Sequence, residues 1–301
     1  MTDPARLSGY TGRFAPSPSG PLHFGSLVAA VASYLDARAN HGNWLVRMED
    51  LDPAREPPDA ADTILQQLDD YGLQPDQPVL FQSHRLAAYQ EALDALLEQG
   101  LCYPCTCSRQ KVRLMGDRYD GSCLRNPPPA GSRHAIRVNV SDQAIEFEDL
   151  VQGHQSHNLA RESGDFIIKR KDGLFAYQLA VAVDDAHQKI SHVIRGHDLL
   201  ESTPRQIFLQ QKLRYPTPRY GHVPVATNEL GQKLSKQHFA EPLSNTERNS
   251  ILHAAIRFLG LSPPPKHHQL SISEQLDWAI SNWHIQNVPK LATIPQHTPS
   301  S

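Results

Sequence analysis

Three prolines and a glycine fall within the six residues Pro16-Ser17-Pro18-Ser19-Gly20-Pro21. No helix or interior strand runs through such a stretch, because each proline removes a backbone donor and fixes φ. It therefore separates two different elements. Residues 10–15 ahead of it are aromatic and apolar and read as a short strand. Residues 26–38 behind it are rich in Ala, Val and Leu and read as a largely buried helix. A second strand follows at 44–48, ending on Glu49-Asp50-Leu51-Asp52, and then two helices at 60–71 and 85–99. Strands alternating with helices predict an α/β fold, a parallel sheet covered by helices.

The rhythm breaks at Leu101. Residues 102–133 contain all four Cys and the run Pro127-Pro128-Pro129-Ala130-Gly131, which reads as an inserted lobe. Short strands are expected near 135–140 and 166–169. Segments 175–183 and 190–194, with a helix near 204–212, return to the α/β pattern. Residues 221–239 are loop-rich, two helices are expected near 250–259 and 273–281, and the tail 291–301 should fray. The start, MTDPARLSGY, lacks a basic segment leading into an apolar one, and no apolar run approaches the length of a membrane span. A monomer in the cytoplasm is the expectation. There, four cysteines at 102, 105, 107 and 123 suit a metal better than disulfides. Sulfur being the common zinc ligand, Cys102 is the first choice to complete a set with Cys105, Cys107 and Cys123. The formal charge of -3 argues against broad, sequence-blind nucleic-acid binding, although a local basic surface can coexist with it.

Two segments suit phosphate. Pro21-Leu22-His23-Phe24-Gly25-Ser26 lies at a helix start, where unpaired N–H groups and the dipole favour an anion. Gly25 allows close backbone approach and His23 can donate to a phosphate oxygen. Lys233-Leu234-Ser235-Lys236 sets two lysines around a hydroxyl, which suits the charge that grows on a leaving pyrophosphate. Each alone is explained as well by a capped helix and a solvated basic turn. Arg13 and Arg195 sit at the ends of expected strands, where open sheets place ligands, and their forks match carboxylates. Singly, each would read as a structural ion pair.

In combination these segments resemble a family. Gly12-Arg13-Phe14-Ala15-Pro16-Ser17-Pro18-Ser19-Gly20 with His23-Phe24-Gly25-Ser26 resembles the first signature of the class I glutamyl-tRNA synthetases, and residues 233–237 resemble their lysine loop. Arg47-Met48-Glu49-Asp50-Leu51-Asp52, Leu174-Phe175-Ala176-Tyr177-Gln178-Leu179-Ala180 and Val193-Ile194-Arg195-Gly196 match in the same order, so the agreement spans residues 10–240. Ser26 stands where a second His is usual, and Gln237 where Ser or Arg is usual.

The resemblance implies a Rossmann-type parallel sheet: a catalytic domain in two halves, 1–101 and 166–240, an inserted zinc lobe at 102–165 and a short helical region at 241–301. It implies ATP as substrate with Mg²⁺, held by His23, Gly25 and Lys236, with Ser26 and Lys233 assisting catalysis. It places the glutamate side-chain carboxylate on Arg13 and Arg195, the ammonium on Glu49, and Tyr177 and residues Phe14, Ala15, Pro16 and Ser17 around them. It leaves Asp50 and Asp52 undecided. It also points to Cys105, Cys107, Tyr119 and Cys123 as the ligands of one structural zinc, in place of Cys102. Beyond Lys236 the chain has room for a small helical annexe, whereas a full glutamyl-tRNA synthetase continues into a large anticodon-holding portion. That resembles the family's short branch, understood to attach glutamate to the queuosine base at the wobble position of tRNA(Asp). Single-stranded loops are the parts of RNA that proteins can splay and read. The rivals are a compact enzyme charging the 3′ end of tRNA(Glu), another ATP-using nucleotidyltransferase, and a zinc-containing RNA-binding protein without activity.

Overall fold

Strand β1 (Thr11–Phe14) enters the proline turn and α1 (Phe24–Ala39) leaves it, as the punctuation of the sequence requires. The computed structural model describes residues 9–116, 118–228, 243–244 and 246–296. Helix α1 is capped by His23, whose Nδ1 accepts from the Ser26 N–H at 3.3 Å. Leu27, Val28, Val31 and Leu35 on α1 are fully buried. Each contributes about 1.5–3 kcal/mol of burial, which holds the helix to the sheet. The chain returns through Gly42, where an added Cβ would lie 2.6 Å from the Tyr10 carbonyl oxygen. It then forms β2 (Asn43–Met48), parallel to β1 with Arg13 opposite Leu45. Helix α2 (Ala60–Asp70), strand β3 (Leu80–Phe81) and helix α3 (Leu86–Glu98) follow, with β3 parallel to β2.

Strand β4 (Cys102–Cys105) opens the cysteine lobe, which holds the short helices α4 (Arg109–Arg113) and α5 (Ser122–Arg125). It pairs antiparallel with β5 (Ala135–Val138). Next comes a hairpin of β6 (Ala144–Asp149) and β7 (Gly153–Asn158), then α6 (Leu159–Glu162) and β8 (Phe166–Lys169), which pairs with β5. Helix α7 (Tyr177–His187), β9 (His192–Gly196), α8 (Thr203–Leu213), β10 (Arg219–Val223) and β11 (Val225–Thr227) complete the α/β part. Strand β10 is parallel to β9 and, at Tyr220 opposite Asp149, to β6.

The expected single parallel sheet is therefore a mixed assembly: a parallel β1-β2-β3 sheet beside a four-stranded β7-β6-β10-β9 sheet with one antiparallel edge. The two meet where the Ser191 N–H donates to the Thr11 carbonyl at 2.9 Å. The segment 102–165 accordingly divides between the β4-β5-β8 lobe and a hairpin that joins β10. The hairpin escaped the sequence reading because β7, Gly-His-Gln-Ser-His-Asn, is polar throughout and shows no alternation.

Helices α9 (Arg248–Phe258) and α10 (Ile272–Ser281) pack on α1, and Trp283 Nε1 donates to the buried Asp36 at 2.8 Å. Within 291–301, expected to fray, β12 (Thr293–Pro295) instead pairs with β11. Among the described residues no helix is long and apolar enough to cross a membrane.

Candidate active site

The C-terminal ends of β1, β2 and β9, the start of α1 and the start of α7 surround a cavity of about 600 Å³. Residues 13–17, His23, Gly25, Ser26, Glu49, Tyr177 and Arg195, each singled out from the sequence, all line it. Lys233 and Lys236 lie outside the described residues. The turn and the second strand are tied together by the Glu49 N–H, which donates to the Pro16 carbonyl at 2.9 Å. At the helix start, His23 Nε2 lies 3.0 Å from Ser26 Oγ, so the hydroxyl and the ring form one polar edge of the cavity.

The cations of the cavity have different partners. Arg13 Nε reaches Asp185 Oδ1 at 3.3 Å, and Arg47, wholly buried behind it, reaches the same oxygen at 2.7 Å. Arg195 donates Nε to His222 Nε2 at 3.0 Å and Nη2 to Thr203 Oγ1 at 2.8 Å, while Nη1 lies 3.4 Å from Tyr177 Oη. His222 Nδ1 is 2.5 Å from Asp149 Oδ2. Burial, and Arg195 beside it, push the ring down to about 4 against the opposing Asp149 contact, so it is neutral near pH 7. Among the described residues no carboxylate lies within ion-pair distance of Arg195.

Glu49 faces these guanidiniums. Its Oε1 is buried and has no hydrogen-bond partner among the described residues, the Arg47 Nη2 standing off at 3.8 Å. Burial pushes its carboxyl up to about 7, with Arg47 and Arg13 opposing the shift. A buried carboxylate oxygen without a donor is costly and suits a ligand that brings one. Asp50 and Asp52 are taken up by neighbouring segments of the fold. Asp50 accepts from the Ser83 N–H at 2.9 Å and from its hydroxyl at 2.5 Å, and Asp52 pairs with Arg55 at 2.7 Å and Arg170 at 3.0 Å.

Arg47, Asp185, His222 and Asp149 were missed in the sequence reading. Arg47 was quoted only as part of a motif, and the only available signal was its charge inside the apolar strand β2.

In the lobe, Cys105, Cys107 and Cys123 converge with their sulfurs within 4.8 Å of one another. Tyr119 Oη lies 3.5 Å from the Cys105 sulfur and 3.7 Å from that of Cys107, and the Cys107 and Cys123 sulfurs are 3.6 Å apart. A tetrahedral zinc at ordinary bond lengths puts neighbouring ligands about 3.5–3.8 Å apart, so the donors fit such an ion. Tyr119 is placed by its bridge to Gly164, where φ is +68° and an added Cβ would lie 2.3 Å from the Tyr119 carbonyl oxygen. Cys102 is elsewhere. Alternation along β4 turns Tyr103 and Cys105 into the lobe and Cys102 toward the apolar core shared by α3 and α7, where burial pushes its thiol up to about 12. That alternation was available in the sequence once a strand was assigned there.

A nucleotide-type α/β fold with paired arginines, a buried carboxylate and a phosphate-ready helix start at one sheet end defines an amino-acid-activating class of enzyme. A family model described as the catalytic domain of class I tRNA synthetases (E and Q) matches residues 10–274, and the chain belongs to that family. Its relatives include a protein of Thiobacillus denitrificans named glutamyl-Q tRNA(Asp) synthetase, 53% identical over 294 residues, which cover 96% of this chain and 98% of the relative. A Pseudomonas aeruginosa protein of the same name is 50% identical over 289 residues, with 96% and 98% covered. Among solved structures, a glutamate-tRNA synthetase from Elizabethkingia anophelis shares the fold, with a TM-score of 0.80 at 23% identity, over 96% of this chain and 68% of the other.

Proposed function

We propose that the chain activates L-glutamate with ATP as glutamyl-adenylate and transfers the glutamyl group to the queuosine base at the wobble position of tRNA(Asp). The buried Glu49 oxygen without a donor, in one cavity with Arg13 and Arg195, carries the glutamate part of this reading, and the similarity to relatives named glutamyl-Q tRNA(Asp) synthetase supports the acceptor. An ammonium would satisfy Glu49, and the side-chain carboxylate would lie on the two guanidiniums beside Tyr177. The α-carboxylate is then free to attack the α-phosphorus of ATP, and pyrophosphate leaves. No general base is required for this step, because the nucleophile is already ionised at neutral pH. Positioning and charge stabilisation remain, assigned to His23, Ser26, the N–H groups at Gly25, and Lys233 and Lys236. Mg²⁺ bound with ATP would supply further charge neutralisation. A hydroxyl of the queuosine cyclopentenediol then attacks the activated carbonyl, expelling AMP and losing a proton.

The RNA reading is supported by the cysteine lobe. Arg109, Lys111, Arg113, Arg118 and Arg125 are exposed there beside Leu114, which is 83% exposed, in a chain whose total charge is -3. Exposed cations gathered on a small lobe suit a polyanion. The reading includes catalytic halves at 1–101 and 166–240, the lobe at 102–165 and the short region 241–301, in a monomer acting in the cytoplasm. It also assigns one structural zinc to Cys105, Cys107, Tyr119 and Cys123. The lobe's own core is little more than these side chains and Tyr103, so the metal would supply much of its stability. Cys105→Ser should lower zinc content well below one per chain and make the lobe protease-sensitive, whereas Cys102→Ala should leave stoichiometry unchanged, both read by elemental analysis and limited digestion.

Glutamate binding should depend on pH through Glu49. The ammonium needs the carboxylate form, so affinity should be level above about pH 7 and weaken below it, approaching tenfold per pH unit. Titration calorimetry from pH 5.5 to 8 measures it, and Glu49→Gln should weaken binding and flatten the profile.

The function itself is tested by transfer of labelled glutamate to tRNA(Asp) with and without queuosine, and to tRNA(Glu), each ending in a 3′ ribose or a 3′ dideoxyribose. The proposal expects labelling that requires queuosine and tolerates the dideoxy end. Labelling of tRNA(Glu) that requires the 3′ hydroxyls would identify a compact conventional synthetase. Absence of ATP–pyrophosphate exchange would point to an inactive binding protein.

A further inference from the structure

Arg195 and Arg13 face the same cavity but are held in chemically different ways. Arg13 rests on a carboxylate, Asp185, shared with Arg47. Arg195 rests on an imidazole, a hydroxyl and a carbonyl: His222 Nε2 at 3.0 Å, Thr203 Oγ1 at 2.8 Å and the Leu199 carbonyl at 3.3 Å. The imidazole is itself fixed. Asp149 accepts from the N–H groups of Val151 at 3.0 Å, Gln152 at 2.9 Å and His222 at 3.1 Å through one oxygen, and its second oxygen accepts from His222 Nδ1–H at 2.5 Å. With the proton on Nδ1, the Nε2 lone pair is the acceptor for the Arg195 Nε–H. The guanidinium, the imidazole and the carboxylate are all buried, with His222 completely so.

We propose that His222, oriented by Asp149, is a positioning residue for glutamate recognition: it fixes the Arg195 guanidinium through an uncharged acceptor and so leaves its full charge for the substrate carboxylate. A carboxylate in direct contact would orient the guanidinium equally well but would neutralise it and weaken its preference for glutamate over glutamine. The imidazole separates orientation from neutralisation. Thr203 and Leu199 hold Nη2 in the same plane, so Nη1, beside Tyr177, is the edge presented to the cavity.

This inference rests on the assignment of Arg195 to the glutamate carboxylate, and the test separates the two. His222→Leu removes the acceptor at similar volume, while His222→Gln keeps an acceptor oxygen within reach of Arg195. Steady-state ATP–pyrophosphate exchange is measured for both variants and for Arg195→Ala, against glutamate, glutamine and ATP, with urea midpoints in parallel. For His222→Leu we expect the glutamate KM to rise about tenfold to thirtyfold, with the ATP KM unchanged and discrimination against glutamine reduced. His222→Gln should recover most of the glutamate KM even where its urea midpoint stays as low as that of His222→Leu. Equal losses in the two variants, or parallel rises in the KM of glutamate and ATP, would assign His222 a merely structural role. A raised glutamate KM in Arg195→Ala with an unchanged one in His222→Leu would overturn the relay alone. An unchanged KM in Arg195→Ala would overturn the assignment of Arg195 itself.

Discussion

Asp185→Ala is expected to destabilise the folded chain by about 3–5 kcal/mol, enough to lower the urea midpoint by about 1 M or more. Asp185 is buried on α7 and is the shared partner of Arg13 and of the wholly buried Arg47, at 3.3 and 2.7 Å. Burial raises its carboxyl, but Arg13 and Arg47 outweigh that and hold it below the usual carboxylate range. Its stabilisation is therefore present near neutrality and is lost only as pH falls through that depressed value. Without it, two guanidiniums would share Glu49, which stands 3.8 Å from Arg47. Removing one side of a buried pair leaves an uncompensated charge, which is the source of the large effect. Glu49 should then be drawn onto Arg47 and away from the cavity, so glutamate affinity should fall along with stability. Asp185→Asn, which keeps an acceptor oxygen, should lose less of both. An unaltered urea midpoint in Asp185→Ala would show that this cluster contributes little.

Lys236→Ala is expected to slow glutamyl-adenylate formation by about 10²–10³-fold, the usual consequence of removing one charge-stabilising donor from a reaction that depends on positioned charge. Lys236 lies outside the described residues, so this expectation rests on the motif Lys233-Leu234-Ser235-Lys236 and on family membership. Charge develops on the leaving pyrophosphate as the α-phosphorus is attacked, and a lysine that neutralises it acts more strongly in the transition state than on bound ATP. The variant should therefore bind glutamate normally and lose rate in ATP–pyrophosphate exchange. Near-normal exchange would remove Lys236 from the mechanism and shift the burden to His23 and the start of α1.

Much of the fold could be read locally. The prolines between β1 and α1 forbid any other break, and the expected helices at 60–71, 85–99, 204–212, 250–259 and 273–281 match α2, α3, α8, α9 and α10 to within about two residues. The cavity lining was readable for a related reason. Arg13, His23, Glu49, Tyr177 and Arg195 sit at element ends within compact motifs, and parallel strands bring such ends to one edge. Strand alternation would have separated Cys102 from the cluster of Cys105, Cys107 and Cys123 had it been applied.

The sequence by itself thus determined the opening strand-turn-helix-strand order, most of the helices, the chemistry available at the sheet end and a metal-type cysteine lobe. These depend on residue type and short spacing. Tertiary structure alone decided that the β6-β7 hairpin joins β10, that Arg13 and Arg47 share Asp185, and that Asp149 and His222 stand behind Arg195. Asp185 lies 172 positions from Arg13, and Asp149 lies 73 from His222. No local periodicity encodes such pairs. Which buried charge meets which is fixed by strand neighbours and helix packing, and it is there that a low dielectric makes each partner decisive.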